Sequence, residues 1–264
     1  LAAIIKENYS KRMLYTALFL VVVANIVNIG ADFGAMAAAL ELLVPSVPFA
    51  SAVVGAAAVI LGLELFVPYK KYARILKWLA VVLFAYPITA FVVGQPCGEV
   101  LAATFHPKGL AFDPVTVMII VGLIGTTISP YLFFWDTSEV VEDEIAHKRV
   151  GLKKLRSPII TRKFLRNVWV DNVVGMTLAA VTAWFIMLTC ATVLHAHGVT
   201  EITTAADAAR AIEPLVSGFP YAGLVAKIIF SVGILGTGLL AIPVLAGSCS
   251  YAISEAFGWP EGLG

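Results

Sequence analysis

Carboxylates, hydroxyls and amides recur at helical spacing inside stretches that are otherwise apolar. The densest set lies in "GTTISPYLFFWDTSEVVEDE", Gly125 to Glu144. There Thr126, Thr127, Ser129 and Tyr131 surround Pro130, and Asp136, Glu139 and Asp143 follow at i, i+3 and i+7. Residues at that spacing share one face of a helix. Pro130 has no N–H and disfavours helix at Ser129. Unwound backbone at bilayer depth is tolerated only where protein or a watery cavity satisfies it. Two chemistries fit. A helix broken between Thr126 and Pro130 would turn free carbonyls and half-helix ends inward as a cation site. A proline kink in a structural helix would instead leave the Thr hydroxyls bonded back to carbonyls. The acidic face beyond the break suits a vestibule that concentrates cations, with Asp136 its deepest member. Glu142 to Glu144 also read as a solvated helix end.

A second polar stripe runs through "ANIVNIGADFG", where Asn25, Asn28 and Asp32 again stand at i, i+3 and i+7. A carboxylate inside a membrane segment is costly and by default marks an ion or proton path. The competing reading is a buried carboxylate hydrogen-bonded to neighbouring helices. Both Asp32 and Asp136 are expected to face the helix bundle rather than lipid, with Asn25 and Asn28 on the face of Asp32. Gly30 and Gly34 form GxxxG, which lets a second helix approach closely. Gly233, Gly236, Gly238 and Gly247 read as packing positions in the same sense.

The elements that carry these residues must be membrane spans. The 264-residue chain is 60% hydrophobic and 13% charged, with a mean hydropathy of +0.92; a soluble domain carries roughly 25% charged residues. A span needs about 20 mainly apolar residues. The sequence predicts an all-α membrane protein with six transmembrane helices over 13–43, 49–67, 72–94, 114–146 (the discontinuous one), 167–196 and 219–257, in a single transmembrane domain over 1–264. Pro45 and Pro48, Pro68 and "GQPCGE" fall at the joints. Of the 18 Lys and Arg, all but Lys108, Arg210 and Lys227 lie before span one, between spans two and three or in the first turns of span three, or between spans four and five. The positive-inside rule then puts Leu1 on the cytoplasmic side. The chain opens on Leu rather than Met, and both ends look cut from something longer.

Several functions are excluded or demoted. A net charge of +1 gives no argument for nucleic acid. Cys97, Cys190 and Cys249 are far apart and form neither a disulfide framework nor a zinc site. His195 and His197 make only half a metal site and read more simply as a solvated helix end. No nucleophile–base pair, phosphate loop or ligand cluster points to an enzyme, and no cofactor is expected beyond a divalent cation as substrate. A transporter or facilitator for that cation leads; a channel or sensor on the same helices, or an inert structural membrane protein, are the other classes.

Three stretches, "NIVNIGADFGAMAAAL", "GTTISPYLFFW" and "LGTGLLAIPVLAGSCSYAISEAFGW", together resemble the natural-resistance-associated macrophage protein (NRAMP) family of divalent-metal transporters. The likeness is greater to its divergent bacterial branches, which include magnesium transporters. The resemblance runs along nearly the whole chain. It implies a bacterial plasma-membrane protein with part of a LeuT-type inverted-repeat fold, roughly helices three to eight, whose partners include the missing helices of the same full-length protein. Alone, the chain is expected not to transport. Aligned on Pro130, the family's metal-binding carbonyl falls at Thr126, its Met ligand at Ser129 and its His at Tyr131. The first of the family's paired acids in helix three matches Asp32, and the second falls at Ala35. Asn25, Asn28, Thr127, Asp136, Glu139 and Asp143 would line the ion or proton pathway. A hydroxyl in place of a thioether favours hard ions, Mg²⁺ or Mn²⁺. A phenol, ordinarily titrating near about 10, cannot cycle protons near neutral pH as imidazole can. Weak or absent proton coupling is the consequence, with an ordinary proton-coupled Mn²⁺/Fe²⁺ importer as the alternative.

Overall fold

The computed structural model describes residues 2–67, 78, 81–93, 97–106, 112–127, 133–138, 140, 162–194, 198, 204–218 and 221–259. Helix α1 (Ala2–Asn8) leads into α2 (Lys11–Leu43), whose start is capped by Ser10: its Oγ accepts the Met13 N–H at 3.3 Å. Helix α2 stops ahead of Pro45, as the restriction on a residue preceding proline requires. Helix α3 (Phe49–Phe66) begins behind Pro48 and ends ahead of Pro68. A 3-10 turn (Val81–Phe84) opens α4 (Ala85–Val92), and α5 (Cys97–Phe105) follows. Helix α6 (Pro114–Thr127) is the first half of predicted span four, and residues 133–138 are helical again as its second half. Helix α7 (Arg162–Thr189) runs into a π turn (Cys190–Leu194). The short α8 (Ala205–Arg210) and a 3-10 turn (Glu213–Val216) precede α9 (Ala222–Phe257), which Gly258 ends in the left-handed conformation, φ 73°. That is where a Cβ-free residue terminates a helix at least cost.

Among the described residues four helical stretches are long and apolar enough to cross a membrane: Lys11–Leu43, Phe49–Phe66, Arg162–Leu194 and Ala222–Phe257. They coincide with predicted spans one, two, five and six. Span five starts earlier than the sequence suggested. Arg162, Lys163 and Arg166, assigned to the loop, ride on the first turns of α7, where long basic side chains can reach past the apolar segment to water.

Helix α9 is the spine. It packs antiparallel to α2 through two clusters, and a third joins it to α4 and the segment beside α8. Ala252 and Ala256 meet Ala2, Leu14, Val21 and Phe134. Ile242 meets Met36 of α2 and Ala56 and Ile60 of α3. Ala226 meets Ala85 and Tyr86 of α4, Leu194, and Ala211 and Ile212 beside α8. Association of apolar helices in lipid depends on close fit, because lipid tails are as apolar as leucine. Small residues supply that fit on α9. A Cβ on Gly238 would lie 2.5 Å from the Met36 Sδ and 2.6 Å from its Cγ. The GxxxG of α2 behaves differently: a Cβ on Gly30 or Gly34 would meet nothing within 4 Å. The packing expected there is therefore absent among the described residues.

Candidate functional site

The stripe on α2 divides into a tied residue and an untied one. Asn25 is 1% exposed, and its Nδ2 donates to the Leu245 carbonyl at 3.1 Å and the Cys249 Sγ at 3.2 Å, both on α9. It is an interhelical fastener. Asn28 and Asp32 lie along the same face and are half-buried. Among the described residues no hydrogen bond or ion pair reaches the Asp32 carboxylate. At 1.5 Å per residue Asp32 stands about 16 Å from the Leu43 end of α2, near the middle of a hydrocarbon core about 30 Å thick. The Asn25 amide is satisfied by the neighbouring helix, whereas the alternative of a satisfied carboxylate finds no partner for Asp32 among the described residues.

The first half of span four is held by its own ends. The Asp113 carboxylate accepts the backbone N–H groups of Thr116 (2.8 Å) and Val115 (2.9 Å) and the Thr116 hydroxyl (3.2 Å). These bonds, that of the Thr116 N–H foremost, hold the Asp113 carboxyl below the usual carboxylate range. At the other end the Thr126 hydroxyl donates to Gly122 (3.0 Å) and Leu123 (3.2 Å), and the Thr127 hydroxyl to Leu123 (2.7 Å). Those hydroxyls are turned back onto their own helix, as the kink reading expected of them. Helix α6 is described as far as Thr127. Ser129, Pro130, Tyr131, Glu139, Asp143 and the break itself lie outside the described residues, as do His195 and His197.

The second half of span four is mounted on its neighbours. Phe134, Trp135 and Ser138 are buried, and the Ser138 hydroxyl donates to the Phe134 carbonyl at 2.8 Å. The Trp135 ring packs over Gly247 and meets Tyr251 edge-on, centroids 6.2 Å apart at 72°. Asp136, half-buried, turns toward α7, where Asn172 Nδ2 donates to Oδ2 at 3.5 Å. The helical segments that carry the two stripes thus meet on one stretch of α9: Asn25 takes Leu245 and Cys249, and Trp135 takes Gly247 between them. Sequence reading singled out neither Asn172 nor this use of Gly247 and Cys249. A polar residue in an apolar helix flags Asn172 on its own; its partner, 36 positions away, is fixed only by the fold.

Among the described residues no three His, Cys, Asp or Glu side chains gather as a ligand cluster. A cation held here would draw on carbonyls, hydroxyls, single carboxylates and water, a donor set suited to ions that keep part of their hydration shell.

A family model described as "Natural resistance-associated macrophage protein-like" matches residues 1–263. A protein of Mesorhizobium japonicum named "Divalent metal cation transporter MntH" is 25% identical over 187 residues, covering 70% of this chain and 38% of that protein. One of the same name from Bradyrhizobium diazoefficiens is 24% identical over 169 residues, covering 63% of this chain and 34% of its own length. The chain therefore spans little more than a third of the curated relatives it matches.

Proposed function

The chain belongs to the Nramp family, and on that footing we propose that the protein is a secondary transporter of hard divalent cations, Mg²⁺ or Mn²⁺ first, with weak or no proton coupling. Nramp proteins are integral membrane transporters of LeuT-type fold, not enzymes. The observation that carries the reading is Asp32: a half-buried carboxylate in a spanning helix, without a partner among the described residues. Such a group is expensive to keep unless it faces an ion path. The relatives' name, divalent metal cation transporter, supports the same class of cargo.

The ion preference rests on chemistry at the break. The Thr126 carbonyl and Ser129 hydroxyl are hard donors, and a small hydroxyl leaves room for the water that Mg²⁺ surrenders reluctantly. Tyr131 and Ala35 leave the proton route short of an imidazole and a carboxylate. The pathway runs past Thr127, Asn28 and Asp32 to Asp136, Glu139 and Asp143. The Leu1 side faces the cytoplasm of a bacterial plasma membrane. Helices of the full-length protein beyond this chain complete the site.

Flux through proteoliposomes of that full-length protein tests this. Mg²⁺, Mn²⁺ and Cd²⁺ are offered in turn while an internal dye follows pH. Saturable Mg²⁺ or Mn²⁺ uptake with little acidification is expected. Strong Cd²⁺ uptake with matched acidification and no Mg²⁺ flux would instead identify a proton-coupled importer of softer metals.

A further inference from the structure

Trp135 and Asp136 are adjacent, so on a helix of 3.6 residues per turn their side chains point about 100° apart. Trp135 is 7% exposed and lies against α9; Asp136 points to Asn172 on α7. The fit of the ring is tight. A Cβ placed on Gly247 would lie 2.9 Å from Cε3 and 3.1 Å from Cη2 of the Trp135 ring, and nearer still to Cζ3. Tyr251 meets the ring edge-on, and Phe134 is buried against Ala252 and Ala256 on the adjoining side. A helical segment in a protein takes its stability mostly from what it packs against.

We infer that Trp135 and Gly247 form a socket that positions Asp136 for the passing cation, so that α9 sets the depth and rotation of a carboxylate it does not itself touch. This rests on the reading that Asp136 lines a cation path. Trp135 and Gly247 are positioning residues; neither offers a ligand. The socket lies between Leu245 and Cys249, the two residues that Asn25 grips from α2. The same stretch of α9 thus registers the stripe that carries Asp32 against the half-helix that carries Asp136. Ordinary core packing would need the ring buried, but would not need the neighbouring carboxylate to keep one bearing.

The test uses the full-length protein with two readouts. One is the Mn²⁺ concentration dependence of uptake in proteoliposomes. The other is disulfide formation between Asp136→Cys and Asn172→Cys on mild oxidation, in a background whose native cysteines are replaced by serine. Gly247→Ala pushes the ring out. It is expected to cut the disulfide yield and to raise the KM for Mn²⁺ on the order of tenfold with Vmax little changed, since small misplacements of a working group are costly. Trp135→Leu added to Gly247→Ala makes room for the new methyl and restores most of both. Asp136→Asn raises KM alike, and Gly247→Ala adds nothing to it. Should Gly247→Ala fail to fold, Trp135→Phe keeps a ring in the socket and the disulfide yield, whereas Trp135→Ala loses the yield. A yield and a KM unchanged in Gly247→Ala, or a yield indifferent to the residue at 135, overturn the socket. Proteoliposomes that carry neither Mn²⁺ nor Mg²⁺, with the yield still governed by the 135–247 pair, overturn the transport reading and leave the socket standing.

Discussion

Pro114–Thr127 buries none of its side chains, while residues 133–138 of the same span bury Phe134, Trp135 and Ser138. The first half is almost wholly apolar yet exposed, and the second carries Asp136, Thr137 and Ser138 yet is the more buried, so hydropathy does not decide which half is covered. What separates them is shape on the partner. The second half meets a helix surface with a gap at Gly247 that an indole ring fills. The first half presents Val115, Met118, Ile119 and Val121, all exposed, and the Asp113 carboxylate and Thr127 hydroxyl at its ends bond to its own backbone. In a bilayer apolar surface alone draws two helices together only weakly, so complementarity decides which half is mounted. In the broken span proposed above, the mounted half would keep Asp136 in register with α9, and the other half would keep its exposed face for another surface.

Substitutions at the two halves sharpen the contrast most. Trp135→Ala removes a buried ring and should cost about 3–5 kcal/mol, read by chemical unfolding in detergent. Met118→Ala, at a side chain 76% exposed, should stay within about 0.5 kcal/mol. Equal costs would break the comparison. A smaller effect separates the glycines. Gly238→Ala drives a methyl into Met36 and should cost about 1–3 kcal/mol. Gly30→Ala meets open space and should be neutral or gain up to about 1 kcal/mol from helix propensity. A destabilising Gly30→Ala would mean that the α2 face is occupied after all.

The smallest effect belongs to the cap of the first half. The folded pKa of Asp113 lies below its unfolded value. Its contribution is therefore complete above the unfolded pKa of about 3.9, and is lost as pH falls through the lower folded value. Amide exchange at Val115 to Val117, corrected for the intrinsic rate, should quicken as pH drops through that window. Asp113→Asn should abolish the pH dependence. Exchange that is flat with pH in the parent protein would remove the cap from the account.

Long apolar runs made spans one, two, five and six legible, with Pro45, Pro48 and Pro68 marking the ends of the first two, and the i, i+3, i+7 pattern found the stripe of Asn25, Asn28 and Asp32. The pattern could not say that Asn25 would be tied and Asp32 not, because that depends on Leu245 and Cys249, 220 and 224 residues away. The sequence places the start of α7 late, because Arg162, Lys163 and Arg166 look like loop although their aliphatic stems suit a helix end. A signal for α8 stands in the sequence too. Thr204 and Asp207 form a capping box, with Thr204 Oγ1 accepting the Asp207 N–H at 3.2 Å and Asp207 Oδ2 accepting the Thr204 N–H at 3.1 Å. That pattern alone can start a short helix. Glycine spacing promised close approach at Gly30 and Gly34 as much as on α9. Spacing gives the capacity for a contact, and only the fold supplies the partner.

The central claim is that a hard divalent cation is held where span four breaks. Anomalous diffraction at the manganese edge, from crystals of the full-length protein grown with Mn²⁺, addresses it directly. The account predicts a peak between Thr127 and residue 133, within about 2.0–2.6 Å of the Thr126 carbonyl and the Ser129 hydroxyl or a water they hold. A helix continuous through 128–132 with no peak beside it, or a peak confined to the protein surface, would contradict it.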